Sequence, residues 1–436
     1  MDSLILGVVA ILAMLALVGL GIPVAFSMGL VAAVGLLYVG GAPMLITTLK
    51  TLPYSVSAEY AFIVIPMFVL MGAVASVSGV TSDLYNAFYR LFSRARGSLY
   101  MVTTLSSAGF AAISGSTIVN AAVFTKIALP QMLRFGYDRK LSAGCIAAAG
   151  TFAALIPPSI MMVVYSLLTG ESIGRLFIAG IIPGFFTAAA YLVGIYVMVR
   201  VRPGLAPPVT DAFTRQEKLE SVGRVWPFAL LATVILGGIY SGAIFPSSAG
   251  AVGAIGAIII ALVKQRLTGA SLAACLRETA ITTSVLFLLI VAGLMFARLL
   301  VFSGFIAEAI GFINDLNWNR YVVLSIIIIM YLILGMFIDT VSVTVVTIPF
   351  VFPIVVNLGF DPIWFGIIVI KMIEISAITP PVGLNLYAVI SSSDKAIQAT
   401  DLFYGVVPFI VIEIIVLLIL IALPGISLWL PNRMMG

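Results

Sequence analysis

Two polar clusters set in apolar sequence have the makings of an oxygen-lined cation site. The first is Ser114-Gly115-Ser116-Thr117, with Asn120 one helical turn further on. Hydroxyl side chains compete for backbone hydrogen bonds and glycine removes the steric bias toward the helix, so the run is expected to unwind there. Unwound backbone is tolerated at membrane depth only where protein or a watered cavity satisfies it. Its freed carbonyls, with the Ser and Thr hydroxyls, would form a hard, neutral cage suited to sodium. The plainer reading is close helix packing through small residues. The second cluster, Gly335-Met336-Phe337-Ile338-Asp339-Thr340, adds an ionisable group. A carboxylate in an apolar layer is costly and by default functional. Four roles are open to Asp339: direct cation ligand, partner of a ligand, proton carrier, or structural cap on the arm that follows.

Each cluster is followed by a run broken at a double proline. Gly150-Thr151 leads to Ile156-Pro157-Pro158-Ser159, and Glu374 leads to Thr379-Pro380-Pro381-Val382-Gly383-Leu384-Asn385. Proline removes an amide donor and its ring clashes with the preceding turn, so two in succession unwind a helix. The half-helices that restart beyond each break would point positive dipole ends toward mid-membrane, where an anionic substrate is favoured. Asn120 and Asn385 supply amides for substrate contact, with Thr125, Tyr165 and Tyr387 as weaker candidates. Lys371 and Glu374, three apart on one helix, are expected to pair for structural reasons, and Lys126 to snorkel to the interface.

No catalytic set competes with these clusters. Histidine is absent, which removes His-ligated metals, His bases and His proton relays. Cys145 and Cys275 lie far apart without CxxC spacing and read as packing residues. No glycine-rich GK[ST] loop suggests ATP as an energy source. The net charge, 22 − 17 = +5, sits in short basic clusters between apolar runs, which is the pattern of cytoplasmic loops rather than of nucleic-acid binding.

The elements that must position these clusters follow from composition. Of 436 residues, 62% are apolar and 9% charged, whereas a soluble domain carries about 25% charged residues. The chain is therefore expected to cross a membrane many times. Apolar runs fall at 4–20, 22–42, 61–80, 98–133, 141–169, 175–199, 226–241, 246–263, 279–302, 321–356, 363–392 and 402–430. The first lacks a basic leader and reads as a retained span. The stretch 200–225, with Pro203, Pro207, Pro208 and five basic residues, reads as a cytoplasmic linker between halves.

A shift of 223 residues aligns those halves without a gap. Thr117 meets Thr340, Pro130 meets Pro353, Gly136 meets Gly359, Asp138 meets Asp361, and Pro157-Pro158 meets Pro380-Pro381. After a two-residue insertion Gly180 and Pro183 meet Gly405 and Pro408. Charge then orients them. The loop 134–140 holds Arg134, Arg139 and Lys140, while its counterpart at 357–363 holds no Lys or Arg. The stretch 81–97 holds Arg90, Arg94 and Arg96, and its counterpart 304–320 only Arg320. By the positive-inside rule the repeats are inverted. The topology closes if the N-terminus is outside and 98–133 and 321–356 are re-entrant hairpins. Matched broken helices in inverted repeats mark secondary transporters, with the site at the repeat interface.

The run SGSTIVNAAVFTKIALPQMLRFGYDRKLSAGCIAAAGTFAALIPPSIMMVVYSLLTGESIGRLFIAGIIPG, with GMFIDTVSV, FDPIWFGIIVI, ITPPVGLNLY and ISLWLP, resembles the large membrane subunit of tripartite ATP-independent periplasmic (TRAP) transporters. The resemblance covers essentially the whole chain. It implies an all-α polytopic protein of the bacterial inner membrane, with inverted repeats, two re-entrant hairpins and two broken helices, working as an elevator. It also implies sodium coupling at about two sites, a periplasmic substrate-binding protein, and a small four-helix membrane subunit as a separate chain. The substrate would be a small organic anion: a C4-dicarboxylate, keto acid, sialic acid or sulfonate. One cation site would involve Ser114, Gly115, Ser116, Gly150, Thr151 and Pro157, and the other Asp339, Thr340, Thr379 and Pro380. Substrate contacts would come from Thr117, Asn120, Pro158, Ser159, Pro381, Gly383 and Asn385. The scaffold is expected at 1–80, 175–302 and 402–430, interfacial arms at 81–97 and 304–320, and the transport domain at 98–170 and 321–392. Two departures stand out. Asn120 is unusual beside the first tip, and Lys371 replaces the uncharged residue usual before Glu374. A self-sufficient sodium-carboxylate symporter is the alternative reading, with a channel or an intramembrane enzyme further behind.

Overall fold

A computed structural model describes residues 3–435. Among the described residues all regular structure is helical. The first half runs through α1 (Ser3–Gly19), α2 (Val24–Ala58), α3 (Val64–Val77), α4 (Val80–Phe92), α5 (Ser98–Ser114), α6 (Thr117–Arg134), α7 (Arg139–Gly150), α8 (Phe152–Leu155), α9 (Ile160–Thr169) and α10 (Ile173–Val201). The linker holds α11 (Arg215–Gly223). The second half continues through α12 (Trp226–Ala232), a π turn, α13 (Gly238–Tyr240), α14 (Pro246–Val263), α15 (Gly269–Phe302), α16 (Phe305–Asp315), α17 (Arg320–Gly335), α18 (Thr340–Asn357), α19 (Pro362–Ala377), α20 (Leu384–Ser392), α21 (Ala399–Ala422) and α22 (Gly425–Met435).

The sequence register of 223 holds in the helix starts Thr117 and Thr340, Arg139 and Pro362, and the described stretch of α1 overlays α12–α13 in it. The repeat thus extends over the whole of each half. The apolar run at 22–42 ends at Gly41, whose φ of 69° breaks α2 into two helical segments, the second reaching Ala58, and the last run divides into α21 and α22.

Both interrupted runs are hairpins. The arms α5 and α6 pack side by side, as do α17 and α18. The entering arms α5 and α17 have 17 and 16 residues and, at about 1.5 Å per residue, fall short of a roughly 30 Å hydrocarbon core, whereas α18, with 18, is long and apolar enough to reach across by itself. Of the described helices, seven are long and apolar enough to cross a membrane, or nine if each of two bent pairs forms one span. One of those pairs is the first broken span, bent by 42° between α7–α8 and α9.

The halves interlock reciprocally. The helix after the first break, α9, packs on α18 and α19, and the helix after the second, α20, packs on α6 and α7. Outside the apolar layer, polar contacts join segments that the charge count puts on the same face. On the side of the basic loops Lys264 pairs with Asp83, Arg139 with Asp401 at 3.6 Å, and Tyr89 donates to Asp211 at 2.7 Å. On the other side the Leu4 amide donates to Glu308 at 2.7 Å and Arg175 to Asn432 at 3.2 Å. The sequence groups 175–201 and 402–430 with the scaffold; in the fold α10 packs on α5, α8, α9, α19 and α21, and α21 packs on α7.

Candidate functional site

The first hairpin tip is held against the first break. Ser114 ends α5, Gly115 takes a left-handed φ of 59°, and Ser116 caps α6 by accepting from the Val119 amide at 3.5 Å. A Cβ on Gly115 would stand 3.1 Å from the Pro158 carbonyl oxygen, so backbone meets backbone there. The Ser114 hydroxyl is buried without a hydrogen-bond partner. Ahead of the break, the carbonyls of α7's last turn are all engaged by side chains. Asn385 donates to Ala147 at 3.2 Å, Thr151 to Ala148 at 2.8 Å, Ser107 to Ala149 at 2.8 Å, and Asn120 to Gly150 at 3.5 Å. Asn120 also bonds both ways with Ser107, and the Ser159 hydroxyl donates to Ala154 at 2.5 Å. Asn120 and Ser159 are thus committed to the chain's own backbone. Thr117 and Pro158 are buried beside them.

The second tip is built on the same plan and left more open. Asp339 occupies Ser116's place and caps α18, accepting from the Ser342 amide at 2.9 Å. The capping role left open in the sequence is therefore real, and Asp339 and Thr340 remain half-buried. Gly335 rests on Ser376 of α19. Thr379 donates to Ile375 at 2.6 Å. Among the described residues no hydrogen bond joins Asp339 or Thr340 to Thr379 or Pro380. Pro381 is exposed, Gly383 has a φ of 47°, and Asn385 is buried with its Oδ1 unpartnered. Both double prolines contain a cis peptide bond.

Helix capping separates the elements by role. The N-termini of α6, α7, α18 and α19 are capped by Ser116, Asp138, Asp339 and Asp361. Those of α9 and α20, which restart just beyond the breaks, carry no side-chain cap. A helix leaves its first amides without intrahelical partners, so these two termini keep donors free for an anion.

Lys371 and Glu374 pair at 2.8 Å as expected, but not alone. Lys371 also pairs with Glu413 of α21 and donates to Thr187 of α10 at 3.0 Å, while Tyr191 of α10 donates to Glu413 at 2.5 Å. Lys371, Glu374 and Glu413 are all 0% exposed. The sequence did carry a signal for Glu413, a lone carboxylate within the apolar run 402–430. Ser107 had none, being one hydroxyl among several on α5.

Two inverted halves, each joining a re-entrant hairpin to a span broken at mid-depth, define a secondary transporter and not an enzyme. Comparison with known proteins places the chain within that class. Residues 11–426 match the family described as "Tripartite ATP-independent periplasmic transporter, DctM component", and the chain belongs to this family of multi-pass inner-membrane permeases. It is 34% identical over 409 residues to the C4-dicarboxylate TRAP transporter large permease protein DctM of Pseudomonas aeruginosa, covering 93% of this chain and 94% of that one. It is 29% identical to the isethionate TRAP transporter permease protein DctMQ of Oleidesulfovibrio alaskensis, over 94% of this chain but 64% of that longer protein. In fold it is similar to the YdaH transporter of Alcanivorax borkumensis, with a TM-score of 0.60 at 12% identity over 88% of each chain.

Proposed function

We propose that this chain is the translocating subunit of a sodium-driven importer for a small organic anion. The observation that carries the reading is the contrast in capping. Four N-termini around the site are closed by side chains, while the two that restart just beyond the breaks are left open. Free amides at two helix starts suit a carboxylate or sulfonate. Around them, Ser114, Gly115, Ser116, Gly150, Thr151 and Pro157 would hold one sodium ion, and Asp339, Thr340, Thr379 and Pro380 a second. The unpartnered Ser114 hydroxyl and the approach of Gly115 to the Pro158 carbonyl support oxygen coordination at the first. At the second, the Asp339 carboxylate supplies charge as well as a cap. C4-dicarboxylates are the first substrates to test, since a relative at 34% identity is named for them.

In the elevator movement we propose, the hairpins and broken spans travel as one body. α10 and α21 pack on those spans and would travel with them, leaving α1–α4 and α12–α16 as scaffold. A periplasmic binding protein would deliver the anion, and a small four-helix subunit, as a separate chain, would complete the membrane complex.

The test is reconstitution into vesicles with an inward sodium gradient. Uptake of a C4-dicarboxylate is expected only with sodium, the binding protein and the small subunit together. Uptake by the chain alone would establish a self-sufficient symporter instead, and uptake indifferent to sodium would remove the coupling.

A further inference from the structure

The cluster at Lys371 lies outside the capped and uncapped termini just described and does not depend on the reading of them. Three helices bring it together. α19 contributes Lys371 and Glu374, α21 contributes Glu413, and α10 contributes Thr187 and Tyr191. Lys371, Glu413, Thr187 and Tyr191 sit well inside their helices, and Glu374 in the last turn of α19. The Tyr191 ring packs on Phe152 at 5.1 Å and on Phe409 at 5.3 Å, which closes the pocket with hydrocarbon.

Charge balance is the difficulty. One ammonium faces two carboxylates, all 0% exposed, so the fully ionised cluster would carry a net charge of −1 in a dry interior. An uncompensated buried charge is far more costly than a neutral, hydrogen-bonded group, and ionisable groups so placed neutralise instead. Among the described residues no second side-chain cation reaches the cluster. Of the elements packed on α19, α8 and α18 bring no ionisable group. α17 brings Tyr331, which receives a bond from Thr347, and, at its first turn, Tyr321 and an exposed Arg320 that lies over the Tyr321 and Phe360 rings; α9 brings Tyr165, which donates to Pro362. Tyr387 of α20 and Arg433 of α22 are exposed. The remaining cations on the flanking helices are engaged at their ends: Arg139 with Asp401, Lys140 over the Tyr404 ring, Arg175 with Asn432, while Arg200 lies in the last turn of α10. Nor is this a metal cage, since no group of three His, Cys, Asp or Glu occurs among the described residues.

We propose that Glu374 and Glu413 hold a single proton between them, making the cluster a membrane-buried proton site. Each carboxyl accepts one hydrogen bond, Glu374 from Lys371 and Glu413 from the Tyr191 hydroxyl, and each keeps one oxygen without a hydrogen-bond partner, that of Glu413 lying against the Lys371 ammonium as an ion pair. The two carboxyls therefore share the proton and titrate as a pair. Loss of the proton would leave the cluster charged and drive it to open toward water or to recruit a cation.

Infrared difference spectroscopy on the purified full-length protein in lipid vesicles tests this at neutral pH. The carbonyl stretch of a protonated carboxyl group is distinct from carboxylate bands and shifts on exchange into D2O. Wild type should show one such group that Glu374→Gln and Glu413→Gln each abolish, because either change leaves a neutral Lys–Glu pair. Lys371→Met should raise the count from one to two, because both carboxyls then lose their counter-charge. The wild-type measurement stands even where a variant does not fold. Absence of the band in wild type, or an unchanged band in a folded Glu374→Gln protein, would overturn the proposal.

Discussion

The two broken spans share a sequence register and differ in how much of their break is already spoken for. In the first, side chains from α5, α6 and α20 and its own Thr151 cover four successive carbonyls, and residues 150–159 are all buried. In the second, the hydroxyls beside the break bond only within their own helix, Ser376 to Ile373 and Thr379 to Ile375, and Pro381 and Val382 are exposed. Packing differs in the same sense. α7 crosses α21 almost backbone on backbone through Gly144 and Gly405, whereas the position equivalent to Gly144 in α19 is Ile367, a full-sized core residue. One half is preset and closed, the other adjustable. An inverted repeat can therefore keep its geometry while dividing labour between its copies.

The strongest way to break that comparison is at the glycine crossing. A side chain at Gly144 would overlap the Gly405 carbonyl, and backbone on both sides leaves nothing flexible to yield. Gly144→Leu is expected to abolish folded, monodisperse protein. Ile367→Ala at the matching place should cost about 2–5 kcal/mol, the usual range for emptying a buried aliphatic site, and still assemble. Gel filtration and thermal melts of both variants would check this. A Gly144→Leu protein with wild-type melting would mean the first half is not preset.

The second variant is Asp339→Asn. Asparagine caps a helix as well as aspartate does, so assembly and melting should stay near wild type while the charge is lost. If the carboxylate holds sodium, losing a charge-assisted ligand should weaken sodium dependence by about 10- to 100-fold, or roughly 1.4–2.8 kcal/mol. Uptake measured against sodium concentration gives the answer. An unchanged dependence would leave Asp339 as a cap only, and the two tips would then differ less than their residues suggest.

Much of this was legible in the sequence, for identifiable reasons. Paired prolines, the Thr117–Thr340 match and the aspartates Asp138 and Asp361 are residues whose backbone or capping demands are specific, so they located both breaks and both hairpins. The repeat of α1 and α12 was not legible, because aliphatic helices facing lipid tolerate almost any apolar residue and keep no register. In the site, residue types named Asn120 and Asn385 but could not say that both amides would be turned onto α7. Long-range partners such as Ser107 and Tyr191 depend on how helices cross, which no spacing rule within one segment reports.

The smallest effect concerns the face where the first broken span ends and the second begins. Glu171, between α9 and α10, has its carboxyl held above the usual range, first by partial burial and then by Asp361, the N-cap of α19, with Arg175 opposing. A raised value in the folded chain means the stabilising contribution is present below the unfolded value and is lost as pH rises through the folded one. At neutral pH the folded protein thus carries a small penalty that a neutral side chain would remove. Glu171→Gln should raise stability by about half a kcal/mol or less, since the group is partly solvated, and the gain should vanish near pH 4, close to the unperturbed glutamate value of about 4.3. Melting curves of both proteins at the two pH values separate the causes. A gain that persists in acid would assign the effect to packing at the junction of the two halves, and the closed first span would then owe nothing to charge at its outer end.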